Sequence, residues 1–155
     1  MFNKGDKVVY PHHGAGTIEN VKLMTIQNEE RKYYIFRQTI GEMMISVPVD
    51  NIDGVGLRSV VSQRKAREAL KVLSDKNNPL PDDWNHRFKI NHAKLGTGSI
   101  FQVAEVVRDL SFRDGLSTHE KRMLSKAKKI LVSELMHSLK KDEDKITDRI
   151  DDLLN

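Results

Sequence analysis

The side chains in this chain that could do chemistry fall into four groups. His12 and His13 are adjacent imidazoles. A metal needs ligands converging on one point, whereas neighbours on a strand point to opposite faces. No third ligand lies at a diagnostic spacing, so no metal site is expected. Gly14-Ala15-Gly16 holds two of the glycines of a phosphate-cradling loop but lacks the third and the helix that must follow. It reads better as relief of crowding at a corner of a small barrel. The acid pairs Asp82–Asp83 and Asp151–Asp152 stand at a helix start and in an acidic tail, where helix-dipole and solubility roles account for them. Nothing brings a nucleophile, a base and an oxyanion donor together. Neither an enzymatic activity nor a cofactor is expected.

The fourth group surrounds Trp84, the single tryptophan. It follows a loop with Pro79, Pro81, Asp82 and Asp83, and His86, Arg87, Lys89, His92 and Lys94 come after it. Proline and aspartate belong at the first turn of a helix, so Trp84 stands near a helix N-terminus. Two readings follow. A rigid ring at an element's tip with cations a turn away suits a nucleic-acid base, stacked or wedged, with phosphates held beside it. Alternatively, Trp84, Phe88, Asn91 and Leu95 recur at helical spacing and would form a core stripe.

Positioning these groups requires two kinds of structure. The first 55 residues hold short alternating runs at Lys7–Tyr10, Gly16–Lys22, Lys32–Arg37 and Met43–Val49, separated by turn residues. Four or five short strands in this length suit a strongly bent barrel of the SH3 or Tudor type. From Leu57 the pattern is helical. Helices are predicted over Ser59–Ser74, from Asp82 or Asp83 to Gly96, over Ser99–Phe112, from the Ser117-x-x-Glu120 capping box to Leu139, and over Asp144–Leu154. The class is α+β. A small N-terminal Tudor/SH3-like barrel over residues 1–55 precedes a compact helical bundle with one core over 56–155.

Charge divides the same way. Residues 1–55 hold six Lys/Arg and seven Asp/Glu, a net of −1; residues 57–141 hold eighteen and nine, a net of +9; residues 142–155 hold two and six, a net of −4. The basic middle is a candidate DNA or RNA footprint. The chain has no cysteine, which removes disulfides and thiolate chemistry, and no apolar run of membrane-spanning length. The alternating, charged start is no signal peptide, so a cytoplasmic location without a membrane partner is expected.

Five segments, Gly5–Gly16 (GDKVVYPHHGAG), Val55–Ser62 (VGLRSVVS), Trp84–Lys89 (WNHRFK), Val103–Leu110 (VAEVVRDL) and Gly115–Leu131 (GLSTHEKRMLSKAKKIL), resemble the CarD family of bacterial transcription regulators in order and spacing. The resemblance covers essentially the whole chain. It implies a stand-alone regulator whose Tudor-like domain docks on the β subunit of bacterial RNA polymerase. The helical domain would then reach promoter DNA at the upstream edge of the bubble and stabilise the open complex. Trp84 matches the family's wedging tryptophan. Arg87, Lys89, Lys121, Arg122 and Lys126 match its basic DNA-contacting positions. DNA contact would be largely independent of sequence, and a monomer associated with the nucleoid through polymerase is expected.

On the polymerase side the resemblance implies strand addition by Met43–Pro48. Some relatives carry arginines where this chain has Met24 and Ser46. That departure points to an apolar contact by Met24, Met43 or Ile45, lined by Ser46 and Pro48, although alternation sends some of these residues into the barrel. The alternative function is an architectural DNA-binding protein that acts without polymerase, which would bind DNA strongly on its own with a steep salt dependence.

Overall fold

The computed structural model describes all residues from Met1 to Asn155. The chain begins with four strands, β1 (Lys7–Tyr10), β2 (Gly14–Ile26), β3 (Glu29–Gln38) and β4 (Met44–Pro48). A single 3-10 turn (Val49–Asn51) and a one-turn helix α1 (Ile52–Val55) lead to β5 (Arg58–Ser59). The five strands form one antiparallel sheet in the order β4-β3-β2-β1-β5. A register shift between Ile18 and Asn20 bends β2, as a bulge does, and curls the sheet. Val8, Ile18, Tyr34, Phe36 and Leu57 fill its concave side.

The β2–β3 hairpin is longer than the alternating runs predict. Gln27 and Asn28 both take positive φ (53° and 63°), the backbone of a two-residue hairpin turn whose twist matches the strands. Pairing therefore continues from Ile26–Glu29 at the tip. The glycine reading at the corner is correct, since a Cβ on Gly16 would stand 2.3 Å from the Arg37 carbonyl oxygen.

Five longer helices follow: α2 (Gln63–Val72), α3 (Trp84–Gly96), α4 (Ile100–Ser111), α5 (Thr118–Leu139) and α6 (Glu143–Leu154). They share one core, centred on α4 and α5, where Val106, Val107, Leu110, Leu131 and Leu135 are among the most buried side chains. The predicted start of the first helix at Ser59 is corrected. Ser59 lies in β5, and the Ser62 hydroxyl caps α2 by accepting from the Lys65 amide. β-branched Val60 and Val61 favour the extended chain between them.

The division after residue 55 also shifts. β5 pairs with β1 (Val8 opposite Ser59, Val9 opposite Arg58), and Leu57 lies in the sheet's core, so the first unit runs through Ser59. The two units are joined by α5. Ser133 Oγ accepts from the Ala15 amide at 2.9 Å, and Glu134 takes both Nη groups of Arg58 at 2.7 Å and the Val61 amide at 2.9 Å. Ser138 donates to the Val61 carbonyl at 3.0 Å. Gly14, at φ +86°, lies so near α5 that a Cβ would stand 2.8 Å from Ser133 Oγ.

Candidate nucleic-acid and polymerase interfaces

Trp84 is the first residue of α3, after the loop from Ser74 to Asp83. That loop is pinned from beneath. Asp109 accepts from the Asn78 amide at 3.1 Å, and Asp82 meets Arg113 at 3.6 Å. Asp83 occupies the cap position but makes no side-chain cap bond, so its carboxylate is not spent on the helix end. Trp84 is 37 % exposed, and its indole stacks on the imidazole of His119 with centroids 5.6 Å apart and planes 15° apart. Of the two readings, the core stripe fits only the inner members: Asn91 and Leu95 are buried and Phe88 half-buried, while Trp84 stands at the open end.

Arg87 is not a surface DNA contact. It is 3 % exposed, and Nε and Nη2 clamp the carboxylate of fully buried Glu120 at 2.9 and 2.8 Å. Nη1 donates to the carbonyls of Pro81 and Asp82. Glu120 in turn closes the capping box: Ser117 N–H donates to Glu120 at 3.2 Å, and Glu120 N–H donates to Ser117 Oγ at 3.1 Å. The guanidinium holds the Glu120 carboxyl below the usual carboxylate range. A buried guanidinium whose three nitrogens are all bonded within the protein is not presented to a phosphate. Arg87 therefore ties the start of α5 to the loop before Trp84 and acts as a pedestal for the ring. The basic spacing around Trp84 could not separate a buried arginine from an exposed lysine.

The other predicted DNA residues are exposed. Lys89, Lys121, Arg122 and Lys126 form no ion pair. Arg122 and Lys126 line a groove with Phe88, His92 and His119 beside the tryptophan; Lys89 and Lys121 lie outside it. His119 was missed by sequence reasoning. Its signal was available, since it lies two residues after the capping serine, on the turn that Glu120 anchors.

The polymerase candidates separate by the pleat. β4 is a sheet edge, paired only with β3, and its register sets Phe36 opposite Ile45, Ile35 opposite Ser46, Tyr34 opposite Val47 and Tyr33 opposite Pro48. Cross-strand partners share a face. Ile45 and Val47 thus follow Phe36 and Tyr34 inward, and Ile45 packs on the barrel core. That corrects Ile45 as a docking residue. Ser46 and Pro48 face outward, and Met24 lies on the same outer face, two residues beyond Lys22, which pairs with Tyr33. Met43 is exposed just before β4. Met44, Leu23 and Ile26 are also exposed apolar side chains of this sheet and were missed; alternation alone gave no sign that the hairpin outruns its core.

His12 and His13 diverge, His12 packing on His92 and His13 on Tyr10, with centroids 4.7 Å apart in each pair. No three His, Cys, Asp or Glu side chains gather in metal-binding geometry. No helix is long and apolar enough to cross a membrane.

The family model described as CarD-like/TRCF RID domain matches residues 2–61, and that of the CarD C-terminal domain matches residues 68–151. A Bacillus subtilis (strain 168) protein named "Putative transcription factor YdeB" is 36 % identical over 138 residues, covering 87 % of this chain and 90 % of its own length. The solved structure of CdnLNt from Myxoccoccus xanthus is 31 % identical, with a TM-score of 0.35 over 40 % of this chain and 87 % of its own. The two matched domains follow the sheet and the bundle, and the chain belongs to the CarD-like family of transcription-factor-like proteins.

Proposed function

We propose that this protein docks on the β subunit of bacterial RNA polymerase through the β4 edge and stabilises the promoter open complex with Trp84. The observation that carries the reading is a half-exposed indole on a rigid pedestal, within the same body as an unpaired strand edge. β4 can accept a further strand by backbone hydrogen bonds, with Met24, Ser46 and Pro48 meeting the partner's side chains. Met43 and Met44 add adaptable apolar contact.

On the DNA side, the open indole face stacks against a base at the upstream edge of the bubble. Stacking contributes about 1–3 kcal/mol, which corresponds to roughly fivefold to 150-fold in open-complex lifetime. Lys89, Lys121, Arg122 and Lys126 hold phosphates without reading bases. Tethering to polymerase supplies effective concentration, so affinity for free DNA is weak. The protein works as a monomer in the cytoplasm and catalyses nothing.

The test is promoter-complex dissociation after a heparin challenge. Trp84→Ala should retain polymerase binding and lose most of the lifetime gain. Full stabilisation by a normally folded variant would overturn the wedge. Tight, steeply salt-dependent binding to DNA without any affinity for polymerase β would favour the architectural alternative.

A further inference from the structure

The turn that joins β1 to β2 lies beside the basic face. His12 holds φ at +69°, a left-handed conformation that few residues other than glycine, asparagine, aspartate and histidine adopt. Its ring reaches the last turn of α3, so near Gly96 that a Cβ there would stand 3.0 Å from Nε2. Rings then step outward from this point: His12 to His92 at 4.7 Å, His92 to Phe88 at 6.0 Å, Phe88 to His119 at 6.3 Å, and His119 to Trp84 at 5.6 Å. The row connects the sheet unit to the tryptophan.

Two open hollows, of about 210 and 240 Å³, lie along this path and share His12 and Lys126. Their lining holds four histidines (His12, His13, His92 and His119), the cations Arg122, Lys126 and Lys129 and the uncharged Gln38 and Ser133, with no carboxylate in either. The two hollows adjoin at His12 and Lys126, and none of Arg122, Lys126 and Lys129 is in an ion pair although the chain carries 22 Asp and Glu residues. The cleft they form fits a polyanion.

We propose that this cleft holds the phosphate backbone of the DNA strand that leads to Trp84, so that the sheet unit contributes His12 and His13 to the DNA interface. The inference rests on the proposed function, because Trp84 fixes where the strand begins. The left-handed turn at His12 sets the β1–β2 imidazoles against α3, where they reach phosphates that α5 cations alone would hold from one side.

Proton linkage follows. Burial, aided by Lys126, holds both imidazoles below their ordinary value. His12 faces His92 from α3, Lys126 from α5 and His13 from its own turn; His13 faces Lys126 and the Tyr10 ring. Beneath the turn, the self-neutralised Arg58–Glu134 pair lines a small cavity under His12. A phosphate favours the protonated ring, raising its pKa in the complex. Binding therefore takes up protons, and affinity strengthens as pH falls through the interval between the free and bound values. The gain is on the order of tenfold for each unit by which the complex raises one histidine.

The experiment measures binding of the full chain to fork-junction DNA, a duplex with a single-stranded tail, by anisotropy at pH 7.5 and 6.0 across a salt series. The proteins are wild type, Lys129→Gln, the double variant His12→Asn with His13→Gln, and Trp84→Ala. Asparagine tolerates the left-handed backbone at position 12, and Lys129 is exposed, so it remains a test if the double variant melts early. Lys129→Gln should lower the salt slope by about 0.7–0.9, and the double variant should lose the tightening at pH 6.0. Wild-type-like binding by both, with Trp84→Ala weakened, would overturn the cleft and leave the wedge standing. The converse would remove the wedge and keep the cleft. Loss of polymerase binding with DNA binding unchanged would make the occupant an acidic protein segment and overturn the inference.

Discussion

The imidazole of His119 lies nearly parallel to the indole of Trp84, 15° apart in plane and 5.6 Å between centroids. One face of the tryptophan is thus covered by protein, and the other is left for a partner. The covering ring comes from the first turn of α5, the turn whose Glu120 holds Arg87. His119→Ala should leave the fold and polymerase binding intact while freeing the indole to rotate. The lifetime gain should fall partway toward that of Trp84→Ala, and His119→Phe should restore it by keeping a flat ring. Tryptophan emission in the free protein should shift with His119→Ala and return with His119→Phe. Full activity in the alanine variant would remove His119 from any positioning role. Trp84→Ala itself should lower stability by less than the roughly 3–5 kcal/mol of a fully buried tryptophan.

The Arg87–Glu120 pair predicts a different kind of loss. Glu120→Ala leaves a buried guanidinium without its partner and should cost about 3–5 kcal/mol. Open-complex stabilisation would fall with folding, and added salt would change the effect little, unlike loss of Lys121 or Arg122. The pH dependence has a definite sign. Glu120 titrates below its ordinary value of 4.5 in the folded protein. Its stabilisation is therefore complete above that value and is lost as pH falls through the lower folded one. Melting of wild type and Glu120→Gln should differ widely at pH 7, and the difference should shrink as pH falls below 4.5. Parallel melting curves over that range would contradict the linkage.

At the docking edge, neighbouring residues should behave oppositely. Ser46→Arg changes an outward side chain and should leave melting nearly unchanged while altering polymerase binding. Ile45→Asp drives a carboxylate into the barrel core and should unfold it, because an unpaired buried charge is far costlier than lost contact. Pull-down of the polymerase β subunit beside circular dichroism separates the two. A folded Ile45→Asp protein with reduced binding would place Ile45 back at the interface.

These contrasts show which features local sequence could convey. The capping box and the helical stripes of α4 and α5 are short-range signals, and the structure carries each. Arg87 was misread because its partner lies thirty-three positions away. Within its own helix it is one base among several, and only packing of α3 on α5 distinguishes it from Lys89. Ile45 was misread for a related reason: a one-residue shift in register exchanges the two faces of a strand, and the register is set by β3. β5 is two residues long and paired to a distant strand, so no local period could separate it from the helix that follows.

Glu134 gives the last test, because it ties α5 to the end of the sheet unit through three hydrogen bonds. It is 2 % exposed and accepts from both Nη groups of Arg58 and from the Val61 amide. The sheet unit's core cluster has five buried residues against nineteen in the bundle's, so its stability leans on this joint. Glu134→Ala removes three acceptor contacts and strands a half-buried arginine, a loss of about 3 kcal/mol. In calorimetry the wild type should melt in one transition and Glu134→Ala in two, with the sheet unit melting first and the bundle near the wild-type temperature. Arg58→Met with Glu134→Leu, which replaces the pair by apolar packing, should recover much of the cooperativity. Polymerase capture should persist below the first transition, while open-complex lifetime should already fall at lower temperature, because a slack joint no longer holds Trp84 at a fixed distance from β4. A single unshifted transition in Glu134→Ala would show that the units are coupled elsewhere, through Ser133 and the Gly14 turn.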